Sequence, residues 1–286
     1  MSNSTIYNRF HLNAETISLV KIYYRSIFVI KYGGSIMKDE LLQSYLIQDI
    51  VLLSSFGINI ILVHGGGYII NNWLEKLNID SKFYNGVRIT DRYAIEVVEM
   101  VLSGKVNKKL VSCLNKNNLL SVGLSGKDAN LIVGSSLSGK FDDYTGKIDC
   151  INPSILLNLL SNRFIPVISS IAFDVYGNTY NINADTAASH IASSLKVDKY
   201  ILLTDTLGVL KNVGESNTLI KNLSIEEATQ LKVDGVISGG MIPKLDSCIY
   251  SLSHGVKEAH IIDGKIRHVL LHEIFTLNRL GSRIIK

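Results

Sequence analysis

Apolar and polar positions along the chain fall into two alternating patterns. Continuous runs rich in Val, Ile and Leu alternate with longer segments in which apolar residues recur at helical spacing. Continuous apolar runs are typical of strands buried on both faces, so the alternation predicts an α/β protein with a mainly parallel sheet covered on both sides by helices. The predicted strands are residues 27–32, 58–64, 119–124, 164–169, 199–205 and 258–263.

Helical patterns lie between these strands. Ser224 and Glu227 have the spacing of a capping box, which predicts a helix start there. A polar Gly/Ser turn within residues 131–150 predicts a hairpin that projects from the sheet. No repeat or clear domain boundary is evident. The predicted helices are residues 39–55, 68–77, 91–103, 105–117, 153–161, 185–195, 224–231 and 243–254.

Two predicted strands run directly into glycine-rich turns. Lys31 comes near the end of the first strand and is followed by Gly33 and Gly34, and the second strand continues as VHGGG at residues 63–67. An ammonium group at the end of a buried strand needs an anion, and backbone N–H groups at a helix start bind anions. Because ligands gather at the carboxyl ends of parallel strands, the turns predict one phosphate-sized site. Neither turn matches the Walker A or dinucleotide-binding pattern, and glycines that serve only tight turns are the alternative.

A third glycine stretch, SGGMIPK at residues 238–244, precedes a helical pattern. Pro243 suits a first helical turn, which places Lys244 in that turn as well. The helix dipole opposes a cation there unless an anion lies between the lysine and the helix end. Lys244 is therefore a second candidate for anion binding, and a solvated lysine is the alternative.

Two polar segments supply further candidates, NINAD at residues 181–185 and NGVRITD at residues 85–91. A carboxylate at Asp185 would fix both ammonium groups if the lysines converge, whereas capping of the following helix is the alternative. Asn181 and Asn183 would then face a polar ligand. Arg88 offers a planar guanidinium that suits a carboxylate, and an exposed arginine is the alternative.

Composition narrows the classes of function. The net charge of +4 is spread along 286 residues, which gives no footprint for nucleic-acid binding but is compatible with small anionic ligands. Cys113, Cys150 and Cys248 form no CxxC pair, which predicts buried thiols in a reducing compartment.

Localisation follows from the same composition. No apolar run approaches the roughly 18 to 20 residues that span a bilayer, and the polar start lacks a secretory core, so we expect neither a membrane protein nor a secreted one. Abundant Asn, Ile, Lys and Tyr with only 3 Pro indicate an AT-rich genome, so we expect a plastid stroma or a bacterial-type cytoplasm.

A collinear series of long motifs resembles a known family. The motifs are IKYGG, VHGGG, NGVRITD, VVEMVLSGKVNKKLV, GLSGKDANL, IPVIS, YNINADTAA, LLTDTLGVL, DGVISGGMIPK and AHIIDG. Over residues 27–286 the chain resembles the acetylglutamate kinases of the amino acid kinase family. The resemblance implies a three-layer α/β/α sandwich with an open, mainly parallel central sheet. It also implies transfer of a phosphoryl group from ATP to the side-chain carboxylate of N-acetyl-L-glutamate, which gives N-acetyl-L-glutamyl 5-phosphate in the second step of arginine synthesis.

The resemblance implies a role for each candidate residue. Two lysines would stabilise the transferring phosphoryl group, a carboxylate would orient them, and backbone N–H groups of Gly34 and Gly66 would donate to the same group. The catalytic residues would be Lys31, Lys244, Asp185 and Gly34. The substrate-binding residues would be Gly66, Gly67, Arg88 and Asn181. The nucleotide-binding residues would be Asp205, Thr206, Leu207, Gly208, Val209, Leu210, Val236, Ile237 and Ser238.

The chemistry of the acceptor agrees with this set of residues. A glutamate side-chain carboxylate has a pKa of about 4.3, so it attacks without a general base. Mg²⁺ would be held mostly by the ATP phosphates and water, and no metal site made by the protein is predicted. His64 is expected to be structural. His268 and His272 lie one helical turn apart but lack an evident third ligand, so we expect no metal there.

The resemblance also implies a domain organisation. Residues 1–26 would form an N-terminal arm, and residues 27–286 a single kinase domain with a substrate and dimer lobe at 27–182 and a nucleotide lobe at 183–286. The arm, with Ile17, Val20 and Tyr24 at helical spacing, would link homodimers into a hexamer. A helix that packs on its own domain or is frayed is the alternative.

Regulation is a further implication. In arginine-sensitive relatives L-arginine is a feedback inhibitor, and here His268, Glu273 and Gly281 are the candidate arginine-binding residues. Arg279 stands where the family often has glycine and Leu19 where the arm usually has tyrosine, so the set point of inhibition cannot be read. Photosynthetic relatives also bind the PII signal protein, which the sequence leaves open for this chain.

Two rival functions remain at this point. One is another amino acid kinase, which would act on carbamate, aspartate or UMP. Arg88 and the NINAD segment argue against these acceptors. A non-catalytic regulatory protein of the same fold would bind arginine or PII, and it would not require both lysines and Asp185.

Overall fold

The computed structural model describes residues 14–84, 87–140, 142–212, 214–276 and 278–286. Within these ranges the six predicted strands are all present, with boundaries that shift by at most two residues. The strands are β1 (Ile27–Tyr32), β2 (Asn59–His64), β3 (Lys82–Tyr84), β4 (Val87–Ile89), β5 (Ser121–Leu124), β6 (Ile132–Ser136), β7 (Gly146–Ile151), β8 (Ile165–Ser169), β9 (Ile171–Phe173), β10 (Thr179–Asn181), β11 (Lys199–Thr204), β12 (Asn222–Ser224), β13 (Glu258–Asp263) and β14 (Ser282–Ile285).

The main sheet has the strand order β12-β14-β13-β11-β1-β2-β8-β5. Its neighbouring strands are parallel except for β13 and β14. Strands β2, β8 and β5 lie on one side of β1, and the strands that follow β11 lie on the far side of β11. The direction in which strands are added to the sheet therefore reverses between β1 and β11. In open α/β sheets ligands bind in the crevice outside the carboxyl ends at such a reversal.

The helices cover both faces of this sheet, which confirms the three-layer sandwich. They are α1 (Ala14–Tyr23), α2 (Glu40–Ser55), α3 (Gly67–Lys76), α4 (Arg92–Glu99), α5 (Asn107–Lys116), α6 (Ser154–Ser161), α7 (Ala184–Leu195), α8 (Ile225–Val233), α9 (Met241–Ser253) and α10 (Val269–Phe275). Ser224 and Glu227 form the predicted capping box at the start of α8.

Alternate residues of each central strand enter opposite halves of the core. Phe28 and Ile30 of β1 pack with α2, α3, α5 and α10 on one face, whereas Val29 packs with α6, α7 and α9 on the other. All three side chains are fully buried. The continuous apolar run therefore reflects burial on both faces.

Shorter strands build structure outside the main sheet. Strands β6 and β7 form the antiparallel hairpin predicted within residues 131–150, and with β9 and β10 they make a four-stranded sheet. Strands β3 and β4 form a separate hairpin. Asn85 and Gly86 of the NGVRITD motif lie outside the described residues.

The two helices predicted at residues 91–103 and 105–117 are not separate. A π-helix at Met100–Val106 joins α4 to α5 without a break. Gly104 lies inside this π-helix, although a glycine at this position favours a helix end in the sequence.

The predicted arm is described only from residue 14 onward. Helix α1 packs Val20, Leu19 and Tyr23 against the main core, whereas Ile17 and Tyr24 are exposed. The three residues predicted to share a face therefore lie in different surroundings. Residues 1–13 are outside the described residues.

The prediction of buried thiols holds only in part. Cys248 is buried and Cys113 half-buried, but Cys150 is exposed on β7, so the prediction for Cys150 is wrong. The error arises from a β-bulge: Cys150 pairs with Val133 but Ile148 pairs with Gly134, and this register shift leaves both Asp149 and Cys150 exposed. No helix within the described ranges is long and apolar enough to span a bilayer.

Candidate active site

Both candidate lysines converge on one carboxylate. The Lys31 Nζ lies 2.8 Å from Oδ1 of Asp185, and the Lys244 Nζ lies 2.9 Å from Oδ2 of the same side chain. Lys31 comes from the end of β1, Asp185 from the first turn of α7 and Lys244 from the first turn of α9. Folding thus unites residues that the sequence places far apart.

The backbone of Asp185 is held from two sides. Asn183 caps α7, since its side chain accepts from the N–H groups of Asp185 and Thr186. The buried Tyr200 of β11 donates to the Asp185 carbonyl at 2.9 Å. The capping alternative for Asp185 is therefore wrong: Asn183 takes the cap, and the Asp185 carboxylate turns to the lysines instead.

The charges of this triad leave an excess of one positive charge. Burial alone would raise the pKa of the Asp185 carboxyl, but the ammonium groups of Lys31 and Lys244 outweigh it and lower the pKa to about 2. Asp185 is therefore ionised at neutral pH, and one ammonium charge stays uncompensated. A further anion at this point is electrostatically favoured.

Both glycine turns face the same cavity as the triad. We call this cavity, of about 250 Å³, the glycine pocket. Gly34 has a φ of +72°, a left-handed conformation that favours glycine. A Cβ at Gly34 would also lie 2.9 Å from the carboxylate oxygens of Asp205. The lining residues are Lys31, Gly33, Gly34, Gly65, Gly66, Gly67, Ile70, Phe83, Arg88, Leu102, Ser170, Asn181, Ile182, Asn183, Ala184, Asp185 and Lys244.

Arg88 enters the glycine pocket from β4 and is largely buried, so the exposed-arginine alternative is wrong. Its guanidinium contacts Asn71 and Ser81, and lies 4.6 Å above the Phe83 ring. Burial lowers the pKa of Arg88 from its usual value. The group remains a cation because its ordinary pKa is above 12.

Asn181 also lines the glycine pocket. Its side-chain amide donates to Thr90 Oγ1 at 3.1 Å, and this hydrogen bond fixes the amide at the pocket. Arg88, Asn181 and the glycine N–H groups together can bind a small molecule that carries carboxylates and a neutral polar group.

A second cavity adjoins the first at Lys244. This loop pocket, of about 370 Å³, is lined by Thr204, Asp205, Thr206, Gly208, Leu210, Val236, Ile237, Ser238, Gly240, Met241 and Lys244. Seven of the nine residues predicted to bind nucleotide are in this lining. Leu207 and Val209 are not in this lining; Val209 is fully buried, and its N–H donates to Ser282 Oγ. Lys244 is the residue shared by both pockets.

His64 and His268 are held by contacts within the fold. His64 is fully buried, with its ring between the Gly65 carbonyl and Asn107. His268 pairs with the buried Asp49 at 2.6 Å, and burial raises the pKa of Asp49 to about 6. No group of three or more metal-ligating side chains occurs among the described residues.

The predicted arginine-site residues lie away from both pockets. Glu273 is buried, and its carboxylate lies 2.8 Å from His260 Nδ1. The same carboxylate accepts hydrogen bonds from the backbone N–H groups of Leu280 and Gly281. Burial alone would raise the pKa of Glu273, but these partners lower it. Glu258 beside His260 pairs with Lys199 and Arg283, so a network of charges links β11, β13, β14 and α10.

Some residues of the two pockets are absent from the sequence-based set. Ser170 directly follows β8, and Thr204 ends β11, so the carboxyl-end rule applied to every strand would have found them. Leu102 and Met241 contribute apolar lining. No sequence signal distinguishes them from other apolar helix residues.

The fold and site agree with one protein family. The sequence model of the amino acid kinase family matches residues 26–263. The chain belongs to the amino acid kinase family.

Within it, the predicted resemblance to acetylglutamate kinases is confirmed. The chain is 48% identical over 280 residues to the acetylglutamate kinase of Gracilaria tenuistipitata var. liui, which covers 98% of each chain. It is 47% identical over 278 residues to that of Thermosynechococcus vestitus, which covers 97% of this chain and 94% of the relative.

A solved structure supports the fold. N-acetylglutamate synthase from Neisseria gonorrhoeae, complexed with coenzyme A and N-acetyl-glutamate, matches with a TM-score of 0.84 at 24% identity. The match covers 95% of this chain and 62% of the synthase chain, so this chain spans under two thirds of that structure. At this identity the match supports the fold alone.

Proposed function

We propose that this protein is an ATP-dependent kinase that phosphorylates the side-chain carboxylate of N-acetyl-L-glutamate to N-acetyl-L-glutamyl 5-phosphate, a step of arginine biosynthesis. The observation that carries the proposal is the convergence of Lys31 and Lys244 on Asp185 where two cavities meet. The names of the curated relatives support the choice of acceptor.

In this proposal the glycine pocket binds acetylglutamate and the loop pocket binds ATP. Arg88 and Asn181 hold the carboxylates and amide of the acceptor, and Gly66 and Gly67 contribute backbone N–H groups. Lys31, Lys244 and the N–H of Gly34 stabilise the phosphoryl group as it passes between the pockets. No general base takes part, since the acceptor oxygen is already ionised.

Mg²⁺ is proposed as the partner of the nucleotide phosphates. Both Asp185 oxygens are occupied by lysines, and the described residues form no carboxylate cluster, so the donor set fits an ion held mainly by phosphates and water. When bound, the ion would neutralise part of the phosphate charge.

The experiment that tests the proposal measures ADP release with different acceptors. Acetylglutamate should give turnover well above that with carbamate, aspartate or UMP. Equal or better turnover with any of these three would overturn the choice of acceptor. Absence of turnover with all four, together with arginine binding, would favour the regulatory alternative, which the catalytic triad and the relatives do not favour.

Feedback inhibition by L-arginine and assembly into a hexamer are proposed as regulatory properties. The contact of Tyr23 of α1 with Phe275 of α10, the helix that carries Glu273, supports a link between the arm and the candidate arginine site. The exposure of Ile17 and Tyr24 supports assembly through the arm. ADP release with L-arginine, and with D-arginine as the control, tests inhibition. Light scattering of the full chain and of a chain without its first 25 residues tests assembly: a hexamer that becomes a dimer is expected. Binding of a PII protein would be tested by co-purification.

A further inference from the structure

The ring of His64 has a single protonation form that satisfies its contacts. Its Nδ1 lies 3.0 Å from the carbonyl oxygen of Gly65, and its Nε2 lies 3.1 Å from Nδ2 of Asn107. The Asn107 Nδ2 also donates to the Val167 carbonyl at 2.8 Å, which fixes this atom as a donor. A carbonyl accepts and an amide N–H donates, so the ring is neutral with its proton on Nδ1.

The surroundings of the ring keep it in that form. His64 and Asn107 are both fully buried. Burial lowers the pKa of His64 to about 4, so the ring is neutral at physiological pH. Asn107 is the residue directly after the π-helix. Leu102 of this π-helix packs so closely on Gly66 that a Cβ at Gly66 would lie only 2.6 Å from Leu102 Cδ2. The same helix thus holds both the ring and the glycine turn.

The carbonyl that His64 holds belongs to the peptide unit that joins Gly65 to Gly66. Because a trans peptide is planar, the Gly66 N–H points opposite to the Gly65 carbonyl. Two backbone hydrogen bonds flank this unit: the Gly65 N–H donates to the Tyr32 carbonyl, and the Gly66 carbonyl accepts from the Ile70 N–H. Glycines restrict rotation of the peptide plane less than other residues. The bond from His64 is therefore what sets the direction of the Gly66 N–H.

We infer that His64 is a positioning residue, which aims the Gly66 N–H into the glycine pocket by holding the Gly65 carbonyl, with Asn107 fixing the tautomer of its ring. The inference rests on the proposed function, in which the Gly66 N–H donates to the transferring phosphoryl group. His64 itself touches neither substrate. Its role differs from a packing role because it depends on one ring nitrogen.

Two substitutions separate the two ring nitrogens. In His64→Asn the side-chain amide can take the place of Nδ1–H and keep the bond to Gly65, while the bond to Asn107 is lost. In His64→Gln the amide reaches the position of Nε2 and keeps Asn107, while the Gly65 carbonyl is released. Both variants replace the buried imidazole by an amide side chain. Loss of ring packing therefore affects both, and a difference between them reports on the hydrogen bonds.

The expected result is a split in turnover at matched stability. His64→Asn should keep kcat within about threefold of the wild type, and His64→Gln should lose at least about tenfold, a fraction of what removal of a transition-state donor costs. The melting temperatures of the two variants should fall by similar amounts. Equal kcat values, or a higher kcat for His64→Gln, would overturn the inference.

A measurement on the unaltered protein tests the inference even if the variants do not fold. Nitrogen-15 spectra of the histidine rings report which nitrogen carries the proton. A proton on Nδ1 is expected for His64, and a proton on Nε2 would overturn the inference. If the wild type shows no turnover with acetylglutamate, the proposed function fails, and the spectra then still decide whether the ring can hold Gly65.

Discussion

A single carboxylate organises two ammonium groups that would otherwise repel each other. Asp185 is 5% exposed, so its attraction to Lys31 and Lys244 is screened less than that of a surface pair. One positive charge remains uncompensated beside the glycine N–H groups. At the residue scale, this imbalance favours an anion at the site, and in the proposed function that anion is the transferring phosphoryl group.

Asp185→Asn should lower kcat by at least about 100-fold, since both lysines lose the group that orients them. A coupled assay of ADP release measures the effect. The matched control is Asp246→Asn, which breaks the partly exposed pair between Lys232 of α8 and Asp246 of α9, 2.5 Å long, and should leave kcat unchanged. Equal losses in the two variants would contradict the orienting role.

The same carboxylate predicts how stability depends on pH. The pKa of Asp185 is lowered from 3.8 to about 2, so the ionised form stabilises the fold above pH 3.8, and this contribution is lost as the pH falls toward 2. The contribution to the free energy of unfolding is about 2 kcal/mol. Urea unfolding of wild type and Asp185→Asn should therefore differ at pH 5 and converge near pH 2. A difference independent of pH would show that Asp185 is not charged in the folded state.

The two lysines of the triad were predictable because each breaks a local rule in the sequence. Lys31 ends a buried strand, and Lys244 opposes a helix dipole. The cap of α7 was not predictable, since Asn183 and Asp185 both suit that position and only the pull of the lysines on Asp185 decides between them.

At the scale of elements, long strands were predicted well and short ones were missed. Strands β1 and β11 show continuous apolar runs, whereas β9 and β10 have three residues each, too few for a pattern to appear. The π-helix at Met100–Val106 was also missed, because Gly104 within it indicates a break. A π-helix is set by packing, and π-bulges often occur at functional sites.

Gly66→Ala tests how closely the π-helix packs on the glycine turn. The added Cβ would lie 2.6 Å from Leu102 Cδ2, so the free energy of unfolding should fall by about 1 to 3 kcal/mol and the KM for acetylglutamate should rise. The φ of Gly66 is −177°, outside the left-handed region that favours glycine, so the expected effect comes from steric contact. Gly104→Ala is the control, since its Cβ would meet nothing within 4 Å. If both variants behave alike in urea unfolding, the close contact is not what requires glycine.

At the scale of the whole molecule, the two predicted lobes share one sheet. The proposed boundary at residue 183 falls between β10 and α7, yet β1 from the first half pairs with β11 from the second along four residues. One core cluster contains Val29 and Ile61 from the first half with Leu245 and Leu252 from the second. The strand order was not predictable from sequence, since parallel strands of similar apolar composition carry no signal for their neighbours.

This shared core predicts that the halves unfold together. Leu252→Ala removes a fully buried side chain from α9 and should cost about 2 to 5 kcal/mol. The chain has a single tryptophan, Trp73, which lies on α3 in the first half and packs against the core on the opposite face of the sheet. The urea midpoint of unfolding seen by its fluorescence should fall by the same amount as the midpoint seen by far-UV circular dichroism of the whole chain, because the central strands contribute to both cores.

The control is Leu157→Ala on the surface of α6, where the side chain is 51% exposed; it should change the free energy of unfolding by no more than about 0.5 kcal/mol with either signal. A tryptophan transition that stays in place in Leu252→Ala would mean that the halves are separate folding units, and Lys31 and Lys244 would then come from two independently stable parts.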